Sequence, residues 1–283
     1  MQKKKSSRWT TILLIVILII GLSLLLYPTF SNWWNSLHQT RVIASYTEQV
    51  SDIDNEQYAA LWQDAWDYNR MIAQRGRLHT LTEEEQLLYQ SLLDVSGTGI
   101  MGYVEIPSIN VLLPIYHGTD EAVLQVAVGH LEWTSLPVGG EGSHCVISSH
   151  RGLPSARLFT ALDQLVEGDI FTLRVLDEVL TYQIDQIRIV EPHQTEDLQI
   201  VENMDYCTLV TCTPYGVNSH RMLVRGHRID TIITEEAHIV RITADAVQIE
   251  PFLVAPIVAA PMLLVLLIAL LFPKPRKIRR SSK

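Results

Sequence analysis

A cysteine, a histidine and an arginine stand at the ends of β-patterned runs in this chain. Cys212 ends the run Tyr206–Cys212, and His150 ends the run Cys145–His150. Arg221 begins the last such run. A thiolate can attack a carbonyl carbon, an imidazole can carry protons, and a guanidinium can neutralise a developing oxyanion. Together these residue types indicate nucleophilic acyl transfer.

The residues after Cys212 explain how a thiol there becomes reachable. Pro214 stands two positions on and cannot donate a hydrogen bond to a sheet, so the strand must end nearby. A cysteine at such an end is held on a rigid backbone while its thiol can face solvent. His150 similarly leaves its apolar run into the turn Arg151–Pro154.

The sequence offers two candidates for the arginine. Arg225 lies four residues after Arg221, an even offset, so both side chains project from the same face of a regular strand. At roughly 3.3 Å per residue they stand about 13 Å apart, so only one can reach a given carbonyl. Alternation by itself does not choose between them.

The other two cysteines, Cys145 and Cys207, lie inside apolar runs. We interpret them as buried small apolar residues. A disulfide between them is the alternative, because their strands could be neighbours. Three cysteines leave at least one thiol unpaired in either case.

Two other chemistries fit the sequence poorly. The residues His144, Cys145, His150, Cys212 and His220 are potential metal ligands, but none falls in a Cys-x-x-Cys or His-Glu-x-x-His spacing. A papain-like protease carries its cysteine phrase near the mature N-terminus, and that phrase is absent here. The sequence therefore predicts neither a metal nor another cofactor.

Short β-patterned runs separated by Gly, Pro and Asn dominate residues 99–230. This composition predicts a mainly β domain, a barrel or a sandwich. Leu176–Val179 is typical of a hairpin turn, and short helices are expected around Asp120–Val126 and Ser155–Leu165. The predicted strands are Met101–Ile106, Val111–Ile115, His144–Ser149, Ile170–Leu176, Val179–Val190, Tyr206–Thr211 and Met222–Ile229.

A helical region precedes the β domain within residues 28–98. Apolar residues recur at helical spacing, which predicts one helix over residues 38–74. Thr82 and Glu85 form a capping-box pattern for a second helix that runs to about Leu93. Residues 75–81 connect the two.

Two apolar segments, residues 10–27 and 252–272, are each long enough to cross a membrane as a helix. Basic tails, residues 1–9 and 273–283, flank them, and the positive-inside rule places both tails in the cytoplasm. Everything between then faces outward, with residues 231–251 as a tether to the second span. A cleaved signal peptide is the alternative for the first segment, although no small-residue cleavage site follows it.

Charge excludes nucleic acid as a partner. Ten of the 22 Lys and Arg residues lie in the two tails, which leaves 12 against 31 Asp and Glu, a formal charge of −19. A nucleic-acid-binding surface needs a basic footprint.

Several phrases resemble the sortase family, and specifically class C, the sortases that polymerise pilins. Thr208–Cys212 with Arg221 downstream resembles the sortase signature. The phrases that narrow the resemblance to class C are Gly99–Pro107, Leu113–Gly118, Thr134–Gly142 and Cys212–Asn218. The resemblance covers roughly residues 85–230. It implies an eight-stranded barrel whose third strand lies near Gly129–Leu131.

The resemblance also implies an activity. The membrane-anchored enzyme would cleave a Leu-Pro-x-Thr-Gly-like sorting signal between Thr and Gly and form a thioester on Cys212. His150 would act first as acid and then as base, and Arg221 would hold the oxyanion. A lysine of another pilin subunit would resolve the thioester, and no cofactor is needed. The alternatives are a housekeeping sortase that anchors proteins to the cell wall and a catalytically silent scaffold for pilus assembly.

The chain departs from the class C pattern in one respect. Class C sortases commonly carry an Asp-Pro-aromatic tripeptide in a lid before the barrel. This chain has no proline between Pro28 and Pro107, so the tripeptide is missing. Residues 75–81 occupy the position of a lid, and Leu78 or His79 is the alternative plug. We expect Cys212 to be more accessible here than in lidded relatives.

Overall fold

The computed structural model describes residues 5–75 and 81–231. Packing divides the chain into two units, Met1–Ser31 with His238–Lys283 and, separately, Asn32–Ala237. The second unit holds all of the β-structure that the described residues form. The predicted tether, the second apolar segment and the C-terminal tail lie outside the described residues.

Helix α1 spans Lys5–Ser51 and contains the first predicted membrane segment. Its portion Ile12–Ser51 is long and apolar enough to cross a membrane, as judged by length and composition. The helix continues well past residue 27 and ends at Ser51. Pro28 lies inside it.

The predicted single helix over residues 38–74 is wrong. Residues 38–51 belong to α1, the chain turns at Asp52–Asp54, and α2 spans Asn55–Gln74. Asp54 explains the break, since its carboxylate accepts hydrogen bonds from the first backbone N–H groups of α2. Helix α3 spans Glu83–Ser91 and begins with the predicted capping box.

Eight strands close into a barrel, which confirms the predicted architecture. The strand order is β1-β2-β3-β4-β7-β8-β6-β5, with parallel pairs β2–β3 and β4–β7 and antiparallel neighbours elsewhere. A short helix, α4, spans Glu121–Leu124 between β2 and β3. The strands are β1 Ile100–Ile106, β2 Val111–His117, β3 Val128–His130, β4 Ser143–Ser148, β5 Ile170–Val175, β6 Glu178–Val190, β7 Asp205–Thr213 and β8 His220–Ile229.

The helix predicted over Ser155–Leu165 does not form. Only a 3-10 turn at Leu162–Gln164 is helical there. Leu158 adopts a positive φ of 41°, which a regular helix excludes. The N–H of Phe159 instead donates to the carbonyl of His150, 3.2 Å away, so this segment folds back as a loop.

The helical region packs on the barrel through buried polar contacts as well as apolar ones. The hydroxyl of Tyr46 on α1 donates to the carbonyl of Met101 at 2.9 Å and accepts from the N–H of Leu176 at 2.7 Å. On α2, the amide of Asn69 exchanges two hydrogen bonds with the backbone of Leu136. Because such groups are costly to bury unpaired, these contacts fix how the helices sit on the barrel.

Candidate active site

Cys212 and Arg221 lie directly opposite each other in the antiparallel pair β7–β8. Directly opposed residues project from the same face of a sheet, with Cβ atoms about 5 Å apart. The Cys212 thiol is free and partly exposed. The guanidinium of Arg221 donates to the carbonyls of Asn218 and His220, at 3.2 and 3.1 Å. A thiol and a guanidinium therefore share one end of this face.

His150 is brought level with Cys212 by the parallel pairing of β4 and β7. Ser148 on β4 pairs with Val210 on β7, which lies 62 residues later in the chain. His150 and Cys212 are also 62 residues apart, so the same register aligns them. Hydrogen bonds carry this alignment past the end of β4, because the N–H of Ser149 donates to the carbonyl of Val210 at 3.1 Å. The hydroxyl of Thr211 donates to the carbonyl of Ser149 at 2.9 Å.

The loops that follow His150 and Cys212 pack against each other. Gly152 has a φ of +76°, and a Cβ there would stand 2.8 Å from the Tyr215 ring. The guanidinium of Arg151 donates to the hydroxyl of Thr213 at 3.3 Å and pairs with Asp163. Only glycine tolerates both the left-handed backbone and the nearby ring. This packing holds the two site loops together.

Arg225, the second candidate arginine, is engaged elsewhere. Its guanidinium donates two hydrogen bonds to the carboxylate of Asp185, at 3.0 and 3.1 Å, and stacks 4.2 Å from the centre of the Tyr206 ring. Its strand partner is Thr208, four residues before Cys212. The two arginines share a face, as alternation predicted, but they have different neighbours.

Glu121 on α4 contacts His150 and was not singled out from the sequence. Its carboxylate oxygen lies 3.4 Å from Nε2 of His150, and the carboxylate side chain is 69% exposed. Hydrogen bonds from Gln125 and His150 lower the pKa of Glu121. No motif marks Glu121, because the contact depends on how α4 packs beside β3.

An apolar cluster lies on the outer face of the sheet beside Cys212. Cys207 and Leu209 of β7 face inward and join the barrel core. Val210 lies two residues before Cys212, so both face outward, and Val210 belongs to this cluster. Val190 is the strand partner of Arg221. The cluster comprises Val146, Val190, Leu198, Val210 and Leu223, with Leu131 and Trp133 packed against it.

His144 lies further along the same face and connects it to the segment between β6 and β7. Its Nδ1 donates to the carbonyl of Gln199 at 2.9 Å, and its Nε2 accepts from the hydroxyl of Thr208 at 2.7 Å. These partners suit the neutral ring, and burial lowers the pKa of His144 to about 4. A cavity of about 260 Å³ opens beside it, lined in part by Trp133 and Leu198.

Cys145 and Cys207 are strand partners across β4 and β7, both buried, and all three cysteines carry free thiols. The alternative of a disulfide between them is therefore not present. Burial raises the pKa of Cys207 well above its ordinary value. Of the predicted lid position, residues 76–80 lie outside the described residues. Arg75 and Glu85, on either side of them, form an ion pair.

Comparisons with known proteins find the same domain and fold in sortases. The family model of the sortase domain matches residues 104–229. The crystal structure of sortase C1 from Streptococcus agalactiae is 51% identical, with a TM-score of 0.67, over 68% of this chain and 100% of that one. Sortase C from Streptococcus pneumoniae is 44% identical, with a TM-score of 0.59, over 67% of this chain and 97% of that one.

A curated relative gives a more distant match. Sortase D from Bacillus subtilis is 31% identical over 131 residues, which is 45% of this chain and 63% of that protein. The closed barrel and these likenesses define a cysteine transpeptidase. The chain belongs to the sortase family, and its structural neighbours include several class C sortases.

Proposed function

We propose that this sortase joins pilin subunits covalently, with Cys212 as nucleophile, His150 as proton carrier and Arg221 as oxyanion holder. The observation that carries the proposal is the common level of these three residues at one end of the β4–β7–β8 face. Identities of 51% and 44% to two sortase C structures, against 31% to a sortase D, support the class C assignment.

The proposed reaction starts at the carbonyl of a threonine in a Leu-Pro-x-Thr-Gly-like signal. The Cys212 thiolate forms a C–S bond to that carbonyl carbon, and the Arg221 guanidinium hydrogen-bonds the resulting oxyanion. The C–N bond to glycine then breaks, and His150 donates a proton to the departing amine. A thioester between threonine and Cys212 remains.

The second half of the reaction restores the thiol. The Nζ of a pilin lysine attacks the thioester carbon, and His150 accepts the proton that this nitrogen loses. The C–S bond breaks, which leaves an isopeptide bond between the two pilin subunits and a free Cys212 thiolate. No cofactor takes part, because proton transfer and acyl transfer balance without one.

The apolar cluster beside Cys212 suits the leucine and proline of such a signal. Val210 and Leu223 are buried cross-strand partners one same-face step from Cys212, and Leu131 and Trp133 pack against their cluster. An extended peptide bound beside this cluster would present its next residues to Cys212. The backbone carbonyls of the peptide would then come within reach of Arg221.

We also propose that the enzyme is held at the outer face of a cell membrane by two spans. The apolar composition of α1 supports the first span, and residues 252–272 have the composition for a second. By the positive-inside rule, the basic tails at both ends would place the termini in the cytoplasm. Residues 28–251 would then face outward, where pilin subunits are assembled.

A polymerisation assay tests the proposal. The purified chain is incubated with a pilin subunit that carries both the sorting signal and an acceptor lysine, and products are separated after boiling in detergent. Covalent ladders that disappear in the Cys212→Ala chain are the expected result. Transfer only to a short glycine or cell-wall peptide would instead identify a housekeeping sortase. An unchanged pilin with the wild-type chain would indicate a scaffold without activity.

A further inference from the structure

Three amide side chains form a row on one face of α1. Asn32, Asn35 and Gln39 are spaced at i, i+3 and i+7, which places them on the same side of a helix. All three bond to backbone groups of the barrel domain. No motif in the sequence marks this row, and the proposed reaction does not use it directly.

The first two amides hold the loop that follows His150. The side-chain oxygen of Asn32 accepts from the N–H of Arg157 at 2.9 Å. The side-chain nitrogen of Asn35 donates to the carbonyl of Ser155 at 2.8 Å. Both partners belong to the segment that leaves His150 and returns to it through the hydrogen bond from the N–H of Phe159 to the His150 carbonyl.

The third amide, that of Gln39, holds the chain just before β3, which lies beside the strand that leads to His150. The side-chain nitrogen of Gln39 donates to the carbonyl of Val126 at 2.7 Å. The next carbonyl, that of Ala127, accepts from the hydroxyl of Ser149 at 2.7 Å. Ser149 immediately precedes His150, so the contact of Gln39 is connected to His150 through Ala127 and Ser149.

This part of α1 adds little to the buried core. None of the residues 32–39 is buried, whereas Ile43, Tyr46 and Val50 further along the helix are. The later turns therefore anchor α1 to the barrel by apolar packing. The amide row contributes directional hydrogen bonds instead, and these act on backbone segments next to His150.

We infer that Asn32, Asn35 and Gln39 are positioning residues for His150. This part of α1 thus acts as a brace for the proton carrier. The inference rests on the proposed function, because it takes His150 to carry the proton. If His150 were displaced by a fraction of an ångström, the enzyme would still bind its substrate normally, but proton transfer by His150 would be slow.

Two substitutions to aspartate separate the hydrogen bond from the change in charge. Asn32 only accepts a hydrogen bond in its contact, so Asn32→Asp keeps the acceptor. Asn35 only donates, so Asn35→Asp removes the donor and places a carboxylate against a carbonyl. Both variants add the same charge within one turn of the helix. Ser36→Ala, at the exposed position next to Asn35, serves as the control.

The test uses the full chain in detergent micelles and a peptide that carries a Leu-Pro-x-Thr-Gly motif. Rates are divided by the amount of enzyme that forms the thioester. The thermal unfolding temperature of each variant is measured as well. We expect Asn35→Asp and the Asn32→Ala, Asn35→Ala double variant to lower kcat about three- to tenfold, with KM within twofold of wild type. Asn32→Asp should retain most of the activity and Ser36→Ala all of it.

Three results would overturn the inference alone. One is a kcat for Asn35→Asp equal to that of Asn32→Asp. Another is a lower unfolding temperature with an unchanged kcat per active enzyme, which would make the row merely structural. A third is a raised KM at constant kcat, which would assign the row to substrate binding. A wild-type chain that never forms the thioester would overturn the proposed function and this inference with it, whereas the first three results leave the proposed function intact.

Discussion

Cys212 on β7 and Arg221 on β8 are direct cross-strand partners, so their side chains leave the same face of the barrel at the same height. Arg225 lies two same-face steps further along β8, beyond Leu223, and is paired with Asp185. This relationship separates two arginines that the sequence pattern treats alike. It also leads to an experiment in which each arginine has its own expected effect.

Arg221→Lys should lower kcat by at least about tenfold and leave the unfolding free energy nearly unchanged. An ammonium keeps the charge but lacks the planar fork that holds an oxyanion. Arg225→Ala is the matched comparison, and it should destabilise the fold by about 1–3 kcal/mol through loss of its two charge-assisted hydrogen bonds. Steady-state kinetics and denaturant unfolding measure the two effects. If Arg225→Ala abolished activity and Arg221→Ala did not, the assignment of the arginines would be reversed.

Cys212→Ala should abolish transfer while the fold survives. The change removes the nucleophile from a partly exposed position and deletes little buried volume. Intact-mass spectrometry after mixing with a sorting-signal peptide should find the acyl adduct on the wild type and not on the variant. Turnover by Cys212→Ala at the wild-type rate would refute the proposed mechanism.

Gly152→Ala should impair activity more than stability. A Cβ at this position would stand 2.8 Å from the Tyr215 ring and would also force a residue other than glycine to adopt a positive φ. The ring must move, and with it the loop after Cys212, so we expect kcat to fall roughly tenfold or more.

Gly168→Ala controls for the strained backbone alone. Gly168 has a φ of +94°, but a Cβ there meets nothing within 4 Å. That variant should lose about 1 kcal/mol of stability and keep its activity per folded molecule. Equal activities of the Gly152→Ala and Gly168→Ala chains would show that the Gly152–Tyr215 contact does not position the site.

The fold should become less stable in mild acid because His144 is protonated more readily in the unfolded chain. Its pKa is about 4 in the folded chain and near 6.5 when unfolded, so the unfolded state binds the proton first as pH falls. The stability associated with the neutral ring is fully present above pH 6.5. It declines toward pH 4, by on the order of 3 kcal/mol in total.

Replacement of this histidine isolates its contribution. His144→Asn should be less stable than wild type at pH 7, because the contacts to Gln199 and Thr208 are weakened. The difference between the two chains should shrink as the pH falls from 6.5 to 4. Denaturant unfolding at several pH values measures it. A difference that is constant across this range would mean that His144 does not titrate with folding.

Cys212 should react quickly with a small alkylating reagent, and the other two thiols should not. Cys145 and Cys207 are 2% and 0% exposed, whereas Cys212 is partly exposed. Mass spectrometry should count one modified cysteine in the native chain and three after denaturation. Replacing residues 76–80 with glycine and serine should not change the native rate. A many-fold acceleration by that replacement would reveal a lid of a different kind.

The sequence by itself predicted most of the strands and the residue types on which the proposed chemistry depends. Strand boundaries followed from alternation and from Gly and Pro, as in the turn after Leu176, because these signals act over a few residues. Thr82 and Glu85 predicted the start of α3 for the same reason. The prediction of a closed eight-stranded barrel came from the resemblance to sortases, and the order of its strands came from the structure, since periodicity does not encode which strands are neighbours.

Tertiary structure decided everything that depends on contacts between distant segments. No α-helix forms over Ser155–Leu165, because the backbone there bonds to α1 and to His150 and makes only short turns of its own. The same long-range contacts place Glu121 beside His150 and the amides of Asn32 and Asn35 on the loop that follows it. Arg221 and Arg225 share a face of β8 and differ in the groups that surround them. Local patterns do not record such neighbours, because they arise when the sheet closes and fixes its register.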